Sequence, residues 1–157
     1  MSVRAVYDCM IFLQAASNPQ RVHSTFRLVQ SGEVTLFVSA EILAEIRDVL
    51  TRPKHTQKFP ALNAENVSRF LFELVNTSTL IDQVPDAFIV SRDPKDSKYV
   101  NLAIAASAQF LVSWDPHLLA LMNEQTFEGS QFRRQYPSLQ ILDPVRFIQM
   151  VAPTSSP

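Results

Sequence analysis

Four carboxylates in this 157-residue chain fall where chemistry is possible: Asp8, Glu45, Asp96 and Asp115. Asp8 closes the β-forming run from Val3 to Tyr7, and Asp115 follows the run LVSW with Pro116 directly behind it. An Asp-Pro pair also opens ordinary turns. Two acids at equivalent strand ends read differently, because ligands of open α/β sheets collect beyond the carboxyl ends of the strands. On the segment SAEILAEIRDVL, a helical step of about 100° puts Glu45 nearest the edge of the apolar stripe, Glu41 further round and Asp48 furthest. Glu45 can therefore snorkel toward a cleft, whereas Glu41 suits a first-turn acid favouring the helix dipole. Asp93 and Asp96 precede the helix that leads into LVSWD. Asp96 suits both a helix cap and a cleft residue, and Asp93 is its possible substitute because helix register is open there.

Ionised acids brought together repel unless a cation compensates them. A set with no His or Cys favours hard ions bound through oxygen, Mg²⁺ or Mn²⁺, over zinc. Such ions activate water and stabilise the charge that develops in phosphodiester hydrolysis. Asp8, Asp96 and Asp115 are then the expected metal ligands, with Glu45 positioning the attacking water.

The elements that must position these acids can be read from the chain. Val3 to Tyr7, Val34 to Val38, Phe110 to Ser113 and Leu139 to Leu142 read as strands, with Phe88 to Val90 a short edge strand. Asn18-Pro19 reads as a helix start, with Val22, Phe26 and Val29 at helical spacing until Gly32. Ser39 is placed to cap the next helix, whose stripe is Ile42, Leu43, Ile46, Val49 and Leu50 and which Pro53 ends. Residues 51 to 63 read as a loop. Further helices are expected around Val67 to Leu74, from Ser97 to Ala108 and from Pro144 through Met150. Alternating strands and helices predict an α/β fold, a mostly parallel central sheet with helices on both faces. One domain over residues 1–151 and a disordered tail over 152–157 are expected.

Composition narrows the function. An apolar fraction of 46% and a charged fraction of 18% describe a globular protein. A net charge of -1 leaves nucleic-acid binding to local patches. Two glycines, Gly32 and Gly129, cannot build a phosphate-binding glycine loop, and the single Cys9 excludes an internal disulfide. The longest apolar stretch, Leu102 to Val112, is too short to cross a bilayer. A cytoplasmic location without membrane attachment is expected.

The segments VYDCMIFL, VSAEILAEIRDVLTRPK, SRDPKDSKYVNLAIAASAQFLVSWDPHLLAL and ILDPVRFI resemble a PIN domain. The likeness runs over residues 3–149 and is greatest to the branch of VapC-like ribonucleases, toxin components of toxin–antitoxin pairs. It implies a three-layer α/β/α sandwich, a Mg²⁺ or Mn²⁺ site on Asp8, Glu45, Asp96 and Asp115, and cleavage of single-stranded RNA. It also implies a cognate antitoxin protein and a homodimer. Three positions depart from the family's pattern: Met10 stands where it has Asn, Trp114 where it has Gly, and His117 where it often has Asp. Met10 has no side-chain amide, so support for Asp8 is expected to weaken. A catalytically weak RNA- or protein-binding module is therefore the alternative. A phosphatase with a strand-end Asp would need a second Asp where Met10 stands.

Arg52, Lys54, His55 and Lys58 form a local basic patch, with Arg47 nearby, that could hold an RNA backbone or simply be solvated. Trp114 could fill the core edge or stack on a base. His117 reads as a helix-start residue or a phosphate contact, and Cys9 as a small buried residue. Phe70, Leu71, Phe72 and Leu74 read as core or as a contact for a dimer or antitoxin.

Overall fold

Ala5, Val6 and Tyr7 are consecutive and all fully buried, so the strand that carries them is covered on both faces. This strand, β1 (Val3–Tyr7), lies at the centre of a five-stranded parallel sheet. In the computed structural model, which describes residues 2–152, the order of strands is β3-β2-β1-β4-β5. β2 is Val34–Val38, β3 Thr79–Leu80, β4 Phe110–Val112 and β5 Gln140–Leu142. Val3 pairs with Val34 on one side of β1, and Tyr7 with Val112 on the other. The chain winds outward through β2 and β3, then returns to add β4 and β5 beside β1. The order reverses between β1 and β4, where open α/β sheets form ligand clefts.

Nine helices surround the sheet among the described residues. They are α1 (Cys9–Ser17), α2 (Ser24–Gln30), α3 (Ala40–Thr51), α4 (Pro53–Lys58), α5 (Ala64–Thr77), α6 (Ser97–Ala105), α7 (Pro116–Leu119), α8 (Phe127–Gln135) and α9 (Pro144–Val151). The fold is thus the expected α/β sandwich. Ser39 caps α3 by accepting from the Ile42 amide at 3.2 Å, and Ile42, Ile46, Val49 and Leu50 are buried. Tyr7 anchors an aromatic cluster with Phe12, Phe26 and Phe147, and its hydroxyl donates to the Thr25 carbonyl at 2.8 Å. Burying each such ring contributes about 1.5–3 kcal/mol.

Three expectations are corrected. Asn18-Pro19 does not start a helix: Asn18 ends α1, and α2 begins at Ser24 behind His23. The reason is Asp8, whose carboxylate caps α1 and starts it directly after β1. Residues 51 to 63 are not all loop, because Pro53 both ends α3 and opens α4 at its first turn, where its missing N–H costs nothing. Phe88 to Val90 is not a strand. The amides of Ala87 and Phe88 donate to Asn101 Oδ1 at 3.0 and 2.8 Å, and that of Val90 to Ser97 Oγ at 2.8 Å. Side chains of α6 thus take the bonds that a neighbouring strand would need, and the edge strand is Thr79–Leu80. α7 opens at Pro116, next to His117, where a helix start is expected, whereas α8 has no counterpart in the sequence reading. The expected disordered tail falls, apart from Ala152, outside the described residues.

Candidate metal centre

Asp8 follows β1 directly and is nearly inaccessible, at 4% exposure. Its Oδ1 accepts from the amides of Met10 (3.2 Å) and Ile11 (3.3 Å), and its Oδ2 accepts from the Ser113 hydroxyl. Burial nonetheless pushes its pKa up to about 6, against these hydrogen bonds and with the help of the Asp115 charge. Ser113, wholly buried, also accepts from the Asp115 amide at 2.9 Å. One hydroxyl therefore ties the ends of β1 and β4 together.

Asp115 caps α7, accepting from the His117 amide at 2.8 Å, with His117 Nδ1 at 3.8 Å from the same oxygen. Burial works against its charge. The Asp96 carboxyl, the His117 amide and the His117 ring outweigh it and hold the pKa below the usual range.

Asp96 ends a 3₁₀ turn, Pro94–Asp96, and precedes α6. It holds the cap position but makes no capping hydrogen bond, contrary to its reading as a helix cap. Its Oδ2 is buried without a hydrogen-bond partner among the described residues. Burial first, then Asp115, Asp93 and Asp8, push its pKa up to about 8. The two neighbouring acids are thus pushed apart, Asp96 toward its protonated form and Asp115 toward its ionised one. One oxygen each of Asp93 and Asp115 and a ring nitrogen of His117 also lie within 4.8 Å of one another. Asp8, Asp93, Asp96 and Asp115 are therefore brought into mutual electrostatic reach.

The donor set fits a hard divalent cation. Its core is carboxylate oxygen, one oxygen is orphaned, and burial works against the charged forms of Asp8 and Asp96, a cost that a cation would offset. His117 adds an imidazole at the rim.

Glu45 stands beside this group. Its carboxylate accepts from Lys98 Nζ and from the Tyr99 hydroxyl. Burial favours its neutral form, but Lys98 and Tyr99 hold its pKa below the ordinary value, so it stays ionised. Cys9 lies between the two units: burial pushes its thiol up to about 12, with Glu45 and Asp8 adding to the shift and Tyr99 opposing it. The thiol is inert at neutral pH, as the sequence indicates.

Of the basic patch, Arg52 bonds Asp48 at 2.7 Å and is raised chiefly by that bond, with smaller contributions from Cys9 and Glu45. Lys58 sits over the Phe59 ring at 5.4 Å, and Lys54 lies on the exposed part of α4. Trp114 does not fill the core edge: it is 45% exposed.

The Met10 backbone amide donates to Asp8, as that of any residue there could, while its side chain, as expected, carries no amide to add a second bond. Ser113, Lys98 and Tyr99 were missed in the sequence. Ser113 lies inside LVSWD and Lys98-Tyr99 inside RDPKDSKYV, but only the fold shows what each touches.

Residues 4–117 match the model of the PIN domain family. No curated protein matches the sequence. Among solved structures, the crystal structure of PAE2754 from Pyrobaculum aerophilum is similar at 16% identity and a TM-score of 0.48, over 85% of this chain and 96% of that one.

Proposed function

This chain belongs to the PIN domain family, whose members are in general metal-dependent nucleases, and from that premise we propose that it is an endoribonuclease cleaving single-stranded RNA with Mg²⁺ or Mn²⁺. The observation that carries this reading is the buried, unpartnered Oδ2 of Asp96 beside Asp115. An orphaned carboxylate oxygen in a site already crowded with acids is costly unless a cation completes it.

Asp8, Asp96 and Asp115 would hold the ion, with Asp93 and His117 at the rim. A divalent ion there polarises the scissile phosphate and favours attack by water. Asp8 is fixed by two amides and a hydroxyl, so its orientation needs no reorganisation when the ion enters. Glu45 stays ionised, and its Lys98 and Tyr99 partners hold its rotamer, leaving lone pairs to orient the attacking water. Arg52, Lys54 and Lys58 would meet the RNA backbone beyond the acids.

We further assign the chain to the toxin half of a toxin–antitoxin pair, acting in the cytoplasm. Phe72 and Val75 leave apolar surface exposed on α5, a face suited to an antitoxin or a second copy. No helix among the described residues is long and apolar enough to cross a membrane. The alternative, a catalytically weak or inactive RNA- or protein-binding module, rests on Met10 and Trp114, because the backbone amide that Met10 gives Asp8 does not replace a side-chain amide.

Cleavage of a fluorescent single-stranded RNA in Mg²⁺, Mn²⁺ and chelator, beside Asp115→Asn, tests this reading. Metal-dependent cleavage that vanishes in the variant is the expected result; cleavage unaffected by either change would refute it.

A further inference from the structure

The acidic pocket has an electrostatic consequence for its substrate. Clustered carboxylates repel a phosphate backbone until a cation is bound, so close to the acids themselves an uncharged contact is the kind that can hold RNA. Two large apolar side chains flank the acids in the chain. Met10 lies two residues after Asp8 and is 44% exposed; Trp114 immediately precedes Asp115. Their backbones belong to the site itself: the Met10 amide donates to Asp8, and the residues on either side of Trp114 are joined by the Asp115 amide to Ser113 Oγ bond of 2.9 Å. The indole is therefore carried by a fixed stretch of chain next to the acids.

Nine aromatic residues pack on one another, as in the Tyr7, Phe12 and Phe26 group and the Phe88, Phe132 and Tyr136 group; the exposed rings Phe72, Phe127 and Trp114 do not, and of these only Trp114 adjoins an acid of the site. Trp114 pairs with no other ring among the described residues. An open indole face suits an unpaired base, because stacking tolerates any base and does not depend on charge. A base inside a duplex has both faces already occupied.

We propose that Trp114 forms a stacking platform for one unpaired base next to the acid site, so that this indole favours single-stranded over paired RNA. This rests on the RNA-cleaving reading above.

Trp114 is the only tryptophan in the sequence, so protein fluorescence reports on it alone. The wild-type protein is titrated with a short single-stranded RNA and with a duplex of the same composition, in EDTA and in Ca²⁺, with RNA integrity checked on gels. Anisotropy of labelled RNA follows binding independently. The single strand should quench Trp114 saturably and the duplex should not. Trp114→Ala should weaken single-strand binding by about 5- to 100-fold, while Trp114→Phe, which keeps a ring, loses far less; thermal melts confirm that both variants fold. RNA that binds by anisotropy without altering Trp114 fluorescence, or binds Trp114→Ala as well as wild type, overturns the platform and leaves the RNA reading standing. Failure of folded wild-type protein to bind RNA under either condition overturns both.

Discussion

Ser113 donates its hydroxyl proton to Asp8 across the junction of β1 and β4, and accepts from the backbone amide of Asp115. A wholly buried side chain thus fixes one acid and the chain that carries another. Removing it leaves Asp8 Oδ2 without its donor and the Asp115 amide without its acceptor. Ser113→Ala should lower stability by about 1–2 kcal/mol and metal affinity by about 10- to 100-fold. Urea melts and Mn²⁺ titration measure the two effects. Unchanged metal affinity would mean that Ser113 is structural only.

The acids also set the dependence of stability on pH. The folded pKa of Asp8 is about 6, above its ordinary value, so folding binds a proton more tightly. That contribution is full below the unfolded value and is lost as pH rises through 6; for Asp96 the loss extends to about 8. For Asp8 it is about 3 kcal/mol. In EDTA, Asp8→Asn should therefore melt higher than wild type at pH 8, by roughly 6 °C or more, and show no gain at pH 4. Scanning calorimetry across pH tests the sign. Mg²⁺ or Mn²⁺ should stabilise wild type more at pH 8 than at pH 5, because protons compete for the same oxygens.

Glu45 and Lys98 form an ion pair that is mostly sheltered, with side chains 22% and 17% exposed. Breaking one side leaves the other charge partly buried. Lys98→Met should cost about 1–3 kcal/mol, and combining it with Glu45→Gln should restore much of that loss. A double-mutant cycle by denaturant unfolding reads the coupling. Additive losses would show that the two side chains act independently.

The start of the irregular segment ahead of Asp93 is held by Asn101, whose Oδ1 accepts from both the Ala87 and Phe88 amides, while Ser97 holds Val90 further on. Asn101→Ala strands two donors, at about 1–3 kcal/mol. Amide hydrogen exchange should then rise over residues 87–93 more than over β1 or β4. Uniform exchange changes would contradict a local role.

The sequence shows the central strands clearly, because β1 from Ala5 to Tyr7 and β4 from Phe110 to Val112 are covered on both faces and read as short apolar runs. The edge is harder: β3 is two exposed residues, Thr79 and Leu80, with no pattern to find. α1 escapes notice because the acid that begins it, Asp8, also looks like the end of a strand, and α4 hides behind Pro53. Asp8 and Asp115 are legible as candidate site residues since strand ends locate them. Ser113 is not, since its hydroxyl acts on a residue 105 positions away. Nor are Lys98 and Tyr99, whose shared partner Glu45 lies on α3, far back in the chain. Side-chain partnership across the sheet is a property of the packed fold, and no local spacing encodes it.

The most direct measurement is cleavage of a labelled single-stranded RNA by wild type and Asp96→Asn, in Mn²⁺, in Mg²⁺ and in chelator, with a melt of each protein. Cleavage should require the metal and fall at least about 100-fold in Asp96→Asn, while the variant melts at or above the wild-type temperature. Cleavage that persists in chelator, or in a folded Asp96→Asn protein, would contradict a divalent ion held by these acids.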